Sequence, residues 1–254
     1  MLFETLRNMK RATEHLNYGR QLIADFASRA SARWPHAARA RVLDIGCGTG
    51  TDLNNIRQAL APRPLDLYGV ERYEPNIAAA AQYGIDVRSL NIEHDRLPFD
   101  DRLFDLIVAN QIVEHTKQIF WMFSEISRVL KPGGAVIVGV PNLASLHNRV
   151  LLALGEQPTT IELLGPHVRG ITKNAFKRFI TADGYFKLLA VKGSNFYPFP
   201  PRLAQTLSRL LPTLAVGLFF LCERTDKSGE FARVLDTRFF ETDYYAGPGP
   251  APRA

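Results

Sequence analysis

The chain has 254 residues, 46% of them apolar, and its 31 Lys and Arg stand against 25 Asp and Glu for a formal net charge of +6. That is enough to bury one substantial core carrying an insertion. The basic residues are scattered among acidic ones rather than gathered into a stripe, which argues against a dedicated nucleic-acid binder and leaves an anionic small substrate or a membrane surface open. Cys47 and Cys222 lie outside any CxxC or Cys/His cluster, so they offer neither a disulfide framework nor a zinc pattern, and a reducing, cytoplasmic compartment fits best.

The opening stretch MLFETLRNMKRATEHL carries charges throughout, unlike a secretory signal, and Glu4 and Glu14 argue against a transit peptide. Thr13 to Trp34 reads as helical with Pro35 as a stop, and residues 1–39 are expected to form a helical segment covering the site. From there the chain alternates. Arg41 to Ile45 reads as a buried strand, Thr51 to Leu60 as a helix, Leu65 to Glu71 as a strand, Pro75 to Tyr83 as a helix, and Asp86 to Leu90 and Phe104 to Ala109 as strands. A helix over Lys117 to Leu130, a Lys-Pro-Gly-Gly turn and a strand over Ala135 to Val140 follow. This alternation predicts an α/β domain over 40–225, doubly wound, with a mostly parallel seven-stranded sheet covered by helices on both faces.

Beyond Pro141 the pattern loosens, and an insertion or lid is expected over about 142–171, helical over Leu143 to Leu154 and loop-like from Gly155 to Gly170. Thr172 then caps a helix to Ala182, Tyr185 to Lys192 reads as a strand, Arg202 to Leu211 as a helix and Leu214 to Glu223 as the last strand. That last apolar run is far short of the roughly 18 residues of a membrane span. Residues 226–254 read as a tail, disordered at its GPGPAPRA end.

In an open α/β sheet, ligands bind beyond the carboxyl ends of the strands, so the loop after the first strand, Asp44-Ile-Gly-Cys-Gly-Thr-Gly50, is informative. Glycines at 46, 48 and 50 let the backbone turn sharply and let a ligand lie against bare amides. A dinucleotide fingerprint would place its third glycine at 51, where Thr51 stands, which favours a ligand without a pyrophosphate. Glu71, at the end of the second strand, can accept both hydroxyls of a ribose, or it is a solvated strand-end charge.

With Leu97-Pro98-Phe99, the FDLIVANQIVEH stretch from Phe104 and the LKPGG turn in the expected order, the chain resembles the class I S-adenosylmethionine-dependent methyltransferases over roughly Ala40 to Pro141. The resemblance implies a Rossmann-like sheet with an antiparallel last strand and S-adenosyl-L-methionine as cofactor. It places the methionine part on Asp44, Gly46, Cys47, Gly48, Thr49 and Gly50, the ribose on Glu71, and Arg72 or Tyr73 beside the adenine. It places Asn91, where the family usually carries aspartate, and Ile92 at the adenine, and Asn110 and Gln111 near the methionine. Glu114 and His115 fall at the family's Glu-His position, where they are either a helix-start charge and a packed imidazole or direct participants. No metal is expected: Glu114 and His115 are similar to the Glu-His of metal-dependent RNA end methyltransferases of the superfamily, but those use a second acid one turn earlier, where this chain has Gln111, and a further downstream histidine.

A sulfonium methyl is already activated, so the protein need mainly align an acceptor lone pair and exclude water. For a hydroxyl acceptor a base near neutral pKa helps, and His167, in the LLGPHVRGIT segment, and then His115 are the candidates, with His147 also available. Either imidazole can equally be structural. The expected acceptor is a small molecule, sugar or glycan, with loose resemblance to methyltransferases of surface-polysaccharide pathways. An RNA or protein acceptor is the alternative, and a non-catalytic cofactor-binding partner protein is a further one. The aromatic segment NFYPFPP from Asn195 either lines an acceptor pocket or packs over a sheet edge, and the aromatic tail FARVLDTRFFETDYYAG offers a homodimer contact.

Overall fold

The structure is a computed structural model that describes residues 19–34, 39–238, 244, 245 and 247. Helix α1 (Arg20–Ser31) precedes β1 (Ala40–Ile45), α2 (Thr51–Leu60), β2 (Leu65–Val70), α3 (Glu74–Ala81), β3 (Asp86–Arg88) and β4 (Phe104–Asn110). There follow α4 (Ile119–Val129), β5 (Leu130–Pro141), α5 (Leu146–Ala153), α6 (Lys173–Ile180), β6 (Phe186–Ser194), α7 (Pro201–Leu210) and β7 (Gly217–Arg224). The seven strands form one sheet in the order β3-β2-β1-β4-β5-β7-β6, parallel except that β7 runs antiparallel to both neighbours. The expected doubly wound, mostly parallel sheet with an antiparallel last strand is therefore what the chain forms.

Both faces of the central strands are apolar because alternate side chains serve different layers. Leu106 and Val108 of β4, with Ala135 and Ile137 of β5, pack with Ile23 and Phe26 of α1 and Leu53 and Ile56 of α2. Ile107 and Ala109, with Val136 and Val138, pack with Phe123 and Ile126 of α4 and Phe176 of α6. Ten of the eleven residues of α4 are buried. Its outer side is covered by a short 3-10 helix, Phe231–Leu235, whose Phe231 contacts Phe120 and Phe123. Those residues, read from sequence as tail, thus belong to the core, because Phe231 and Val234 are apolar and close over the helix. The segment GPGPAPRA lies outside the described residues except Gly247.

Two further differences from the sequence reading have local causes. The Lys-Pro-Gly-Gly turn is absorbed into one strand, β5, whose Leu130 already pairs with Phe104 before a register shift. The insertion turns back onto the sheet through a parallel bridge between Asn142 and Ile171, and Thr172 caps α6 as expected, its hydroxyl accepting from the Ala175 amide at 3.3 Å. No helix among the described residues is long and apolar enough to cross a membrane.

Candidate functional site

Strand order reverses between β1 and β4, and the loops at their carboxyl ends form the crevice that such sheets use for ligands. After β1, Gly46, Gly48 and Gly50 all adopt positive φ, winding the loop tightly into α2. At Gly48 a Cβ would meet nothing within 4 Å, so the loop presents bare backbone to open space there. Cys47 turns the other way: its thiol lies beneath Gly69 in the core, and burial pushes its pKa up to about 12. The hydroxyl of Thr49 pairs with that of Thr51 at 3.0 Å.

Glu71 folds back beneath this loop. Its carboxylate accepts from the Gly48 amide at 3.0 Å and from the amides of Arg72 and Tyr73 at 2.7 and 2.9 Å. Asn76 Nδ2 adds a longer contact at 3.4 Å, so the roughly four acceptor positions of the carboxylate are occupied and a ribose hydroxyl would take the place of this long contact. Tyr73 stands 63% exposed beside it. Across the crevice Asn91 begins a turn, its side-chain oxygen accepting from the Glu93 amide at 3.1 Å, and Ile92 rests half-buried on the core. The Glu93 carboxylate in turn accepts from the amides of Lys117 and Gln118 at 2.9 and 2.7 Å, which fixes the entry to α4.

The deepest part of the crevice is polar and incompletely paired. Asp44 and Asn110 are at or near the carboxyl ends of adjacent strands, and each has a buried side-chain oxygen, Oδ1, without a hydrogen-bond partner. Burial, reinforced by Asp52, raises the Asp44 pKa well above the ordinary carboxylate value. Asn110 is held by donating from Nδ2 to Asp52 at 2.9 Å, and Asp52 also binds Arg20 of α1 at 3.0 Å. Gly139 on β5 makes room for Asn110, since a Cβ there would lie 2.3 Å from its Oδ1. Gln111 follows with a positive φ, its amide bonded to the Gly139 carbonyl at 2.8 Å. Sequence reasoning missed Asp52 and Arg20. Asp52 stands in the first turn of α2, a common place for an acid, and nothing local announces that Arg20 reaches it from another helix.

A second cluster sits beyond β4. The 3-10 turn Val113–His115 carries Glu114 and His115, and the insertion is fastened onto it: the amides of Val168 and Arg169 both donate to the Glu114 carbonyl, at 2.9 and 3.2 Å, and the Arg169 guanidinium donates to the carbonyls of Thr116 and Lys117. His115 and His167, the two candidate bases, are thereby brought together with ring centroids 4.6 Å apart. Each ring's Nδ1 meets a backbone carbonyl, Pro166 at 3.3 Å for His115 and Thr160 at 2.9 Å for His167, so Nδ1 donates and the lone pair resides on Nε2. Burial and the neighbouring His167 lower the His115 pKa, favouring the neutral imidazole. The Glu114 side chain is fully buried with both oxygens unpaired, and burial raises its pKa to about 7. His147, by contrast, has both ring nitrogens engaged, with Ser145 at 3.2 Å and Thr159 at 3.0 Å. In the aromatic segment Phe196 is buried against Ala204 and Ala215, the edge-packing arrangement, while Phe199 remains partly exposed.

Residues 14–183 match a family model described as a methyltransferase domain. Among curated relatives, a ubiquinone biosynthesis O-methyltransferase of Rhizobium johnstonii is 27% identical over 128 residues, 47% of this chain and 50% of that protein. A sterol 24-C-methyltransferase of Schizosaccharomyces pombe is 31% identical over 101 residues, 37% of this chain and 26% of that one. The chain thus spans half or less of the length of these relatives. Among solved structures, an S-adenosylmethionine-dependent methyltransferase from Mesorhizobium loti superposes with a TM-score of 0.50 at 20% identity, covering 79% of this chain and all of that one, a likeness of fold.

Proposed function

Because the chain belongs to this methyltransferase-domain family, we propose that it transfers a methyl group from S-adenosyl-L-methionine to an oxygen of a small-molecule or glycan acceptor. The observation that carries the cofactor assignment is the pair of orphaned acceptors, Asp44 Oδ1 and Asn110 Oδ1, at the ends of adjacent strands, with bare backbone at Gly48 in the loop that follows Asp44. Two buried acceptors without donors are costly, and an ammonium group is the donor that suits a carboxyl and an amide oxygen together. The residues present therefore fit the amino-acid head of the cofactor, with Glu71 placed to accept ribose hydroxyls, and Arg72, Tyr73, Asn91 and Ile92 bordering the base.

When bound, this cofactor supplies an electrophilic methyl on sulfur. Asp44 and Asn110 orient the ammonium, Glu71 anchors the ribose, and the glycine loop admits the ligand without collision. Burial favours the neutral imidazole of His115, and with Nδ1 of both rings turned to backbone carbonyls, Nε2 is the atom that would take a hydroxyl proton as the acceptor oxygen becomes methylated. The insertion that brings His167 to His115 also leaves Leu163 and Leu164 almost wholly exposed, so an acceptor with an apolar part, or a membrane surface presenting one, suits this side. Support for oxygen as the acceptor atom comes from this histidine pair and from the O-methyltransferase relatives.

Calorimetric titration with S-adenosylmethionine, S-adenosylhomocysteine and NAD tests the cofactor, and a screen of hydroxylated sugars and phenols tests the acceptor. Binding of the two sulfur compounds but not NAD, with methyl transfer to a hydroxyl, is expected. Binding of NAD alone would overturn the reading.

A further inference from the structure

The Glu114 carboxyl poses a problem that the methyl-transfer reading leaves unsolved. It is wholly buried and both its oxygens lack partners, an arrangement that costs several kcal/mol for a charge unless something compensates it. One oxygen of this carboxyl and one nitrogen each of His115 and His167 all lie within 4.8 Å of one another.

We propose that Glu114, His115 and His167 form a binding site for a divalent transition-metal cation, with zinc as the representative ion. Two imidazoles and one carboxylate make a ligand set that such cations use in catalytic sites, where three protein ligands leave further positions for water or substrate. Ligand atoms around a tetrahedral zinc are roughly 3.4 Å apart, from bond lengths of about 2.1 Å, so side-chain rotations of about 1 Å close the cluster. The surroundings already supply the outer support a metal site needs. The Nδ1 contacts to the carbonyls of Pro166 and Thr160 fix both imidazole orientations and leave Nε2 basic. The Glu114 backbone is pinned by the amides of Val168 and Arg169, so carboxylate and His167 are held together although they are far apart in the chain. The expectation that no metal binds here rested on Gln111 standing in place of a second acid; the site proposed has three protein ligands without that acid, His167 of the insertion being the downstream histidine.

This inference rests on the methyl-transfer reading for its purpose and deepens it. An acceptor hydroxyl at the open coordination position loses its proton to solvent more readily. Its oxygen lone pair then forms the O–CH3 bond as the S–CH3 bond breaks and the sulfonium becomes a neutral thioether. The two histidines then act as ligands and not as free bases, which favours acceptors with a hydroxyl that can reach the cation.

The test uses the full chain, freed of metal by dialysis against a chelator. It is titrated with Co2+, followed by visible absorption, and with Zn2+, followed by calorimetry, with S-adenosylhomocysteine affinity measured on the same samples. One equivalent of tight binding with the intense absorption of a low-coordinate Co2+ is expected. Glu114→Gln, which keeps the side chain's shape, and His167→Asn should each weaken binding by at least the roughly 100-fold that even an outer-shell change can cause, while His94→Asn should not. The proposal is overturned if the wild type takes up no Co2+ or Zn2+, or if Glu114→Gln and His167→Asn bind as the wild type does. Homocysteine-cofactor binding with no metal uptake sinks the cation alone. Metal uptake without cofactor binding sinks the methyl-transfer reading and leaves the cation site standing.

Discussion

The two sides of the crevice are built differently. On the cofactor side, Asp44, the glycine loop and Glu71 occupy the ends of neighbouring parallel strands, and their contacts run between adjacent loops. On the acceptor side, His167 reaches His115 only because an insertion of some thirty residues is fastened back by Val168, Arg169 and the bridge at Ile171. The first side is a property of the sheet and is shared by proteins with different chemistries, whereas the second depends on where the insertion docks. Changes on one side should therefore leave the other side's function intact.

The sharpest break of that comparison is Gly48→Val. The new side chain would fill the open space over the loop and strain a residue with φ of 53°. Cofactor binding should fall by more than about 100-fold, near or below what calorimetry detects, equivalent to roughly 2.8 kcal/mol or more. Metal uptake at Glu114 should be unaffected and the fold should remain intact by circular dichroism. Retained cofactor affinity would remove the glycine loop from the site. The converse experiment is His167→Asn or His115→Asn. On any hydroxyl acceptor that is turned over, the rate should drop by about 100-fold or more, the usual contribution of an acceptor-activating group, with cofactor affinity unchanged. A parallel loss of cofactor affinity would show that the two sides are coupled after all.

A smaller effect comes from Glu71→Ala, which removes charge-assisted hydrogen bonds worth about 1.5–3 kcal/mol. Some of that loss is structural, because Glu71 also accepts from the amides of Gly48, Arg72 and Tyr73. Glu71→Gln separates the two contributions: it keeps the side chain's size and one acceptor oxygen, and it should recover the melting temperature more fully than the cofactor affinity. Equal recovery of both would make Glu71 a loop brace and not a ribose ligand.

The contrast also explains what could be read in the sequence. The strands and helices from Arg41 to Val140 were legible because apolar periodicity and glycine punctuation are local, and helix Thr51–Leu60 has the same limits in sequence and structure. Glu71 and Asn110 were legible because a recognised strand end gives their position. The Asp52–Arg20 pair, the orphaned Glu114 carboxyl and the covering of α4 by Phe231 were not. Each depends on a contact between elements whose relative placement no short motif encodes. His147 illustrates the limit from the other direction, since residue type offered it as a base and only its engagement by Ser145 and Thr159 shows it bracing the insertion.

The last and smallest effect is a pH dependence confined to the cofactor side. In the free protein, burial and then the neighbouring Asp52 hold the Asp44 carboxyl protonated to higher pH than an ordinary carboxyl. By linkage, its contribution to fold stability is present below the ordinary carboxylate pKa and is lost as pH rises toward the raised value. A bound ammonium favours the anion, so cofactor binding should release a proton within this window. Affinity should then rise with pH by up to about tenfold per unit and level off once Asp44 is ionised in the free protein. Calorimetry of S-adenosylhomocysteine in buffers of differing ionisation enthalpy reads the released proton directly, and Asp44→Asn should abolish both the release and the slope. Because His115 and His167 lie on the other side, replacing them should leave this slope unchanged. A flat wild-type profile would mean that the ammonium is bound elsewhere and that the orphaned Asp44 oxygen serves another donor.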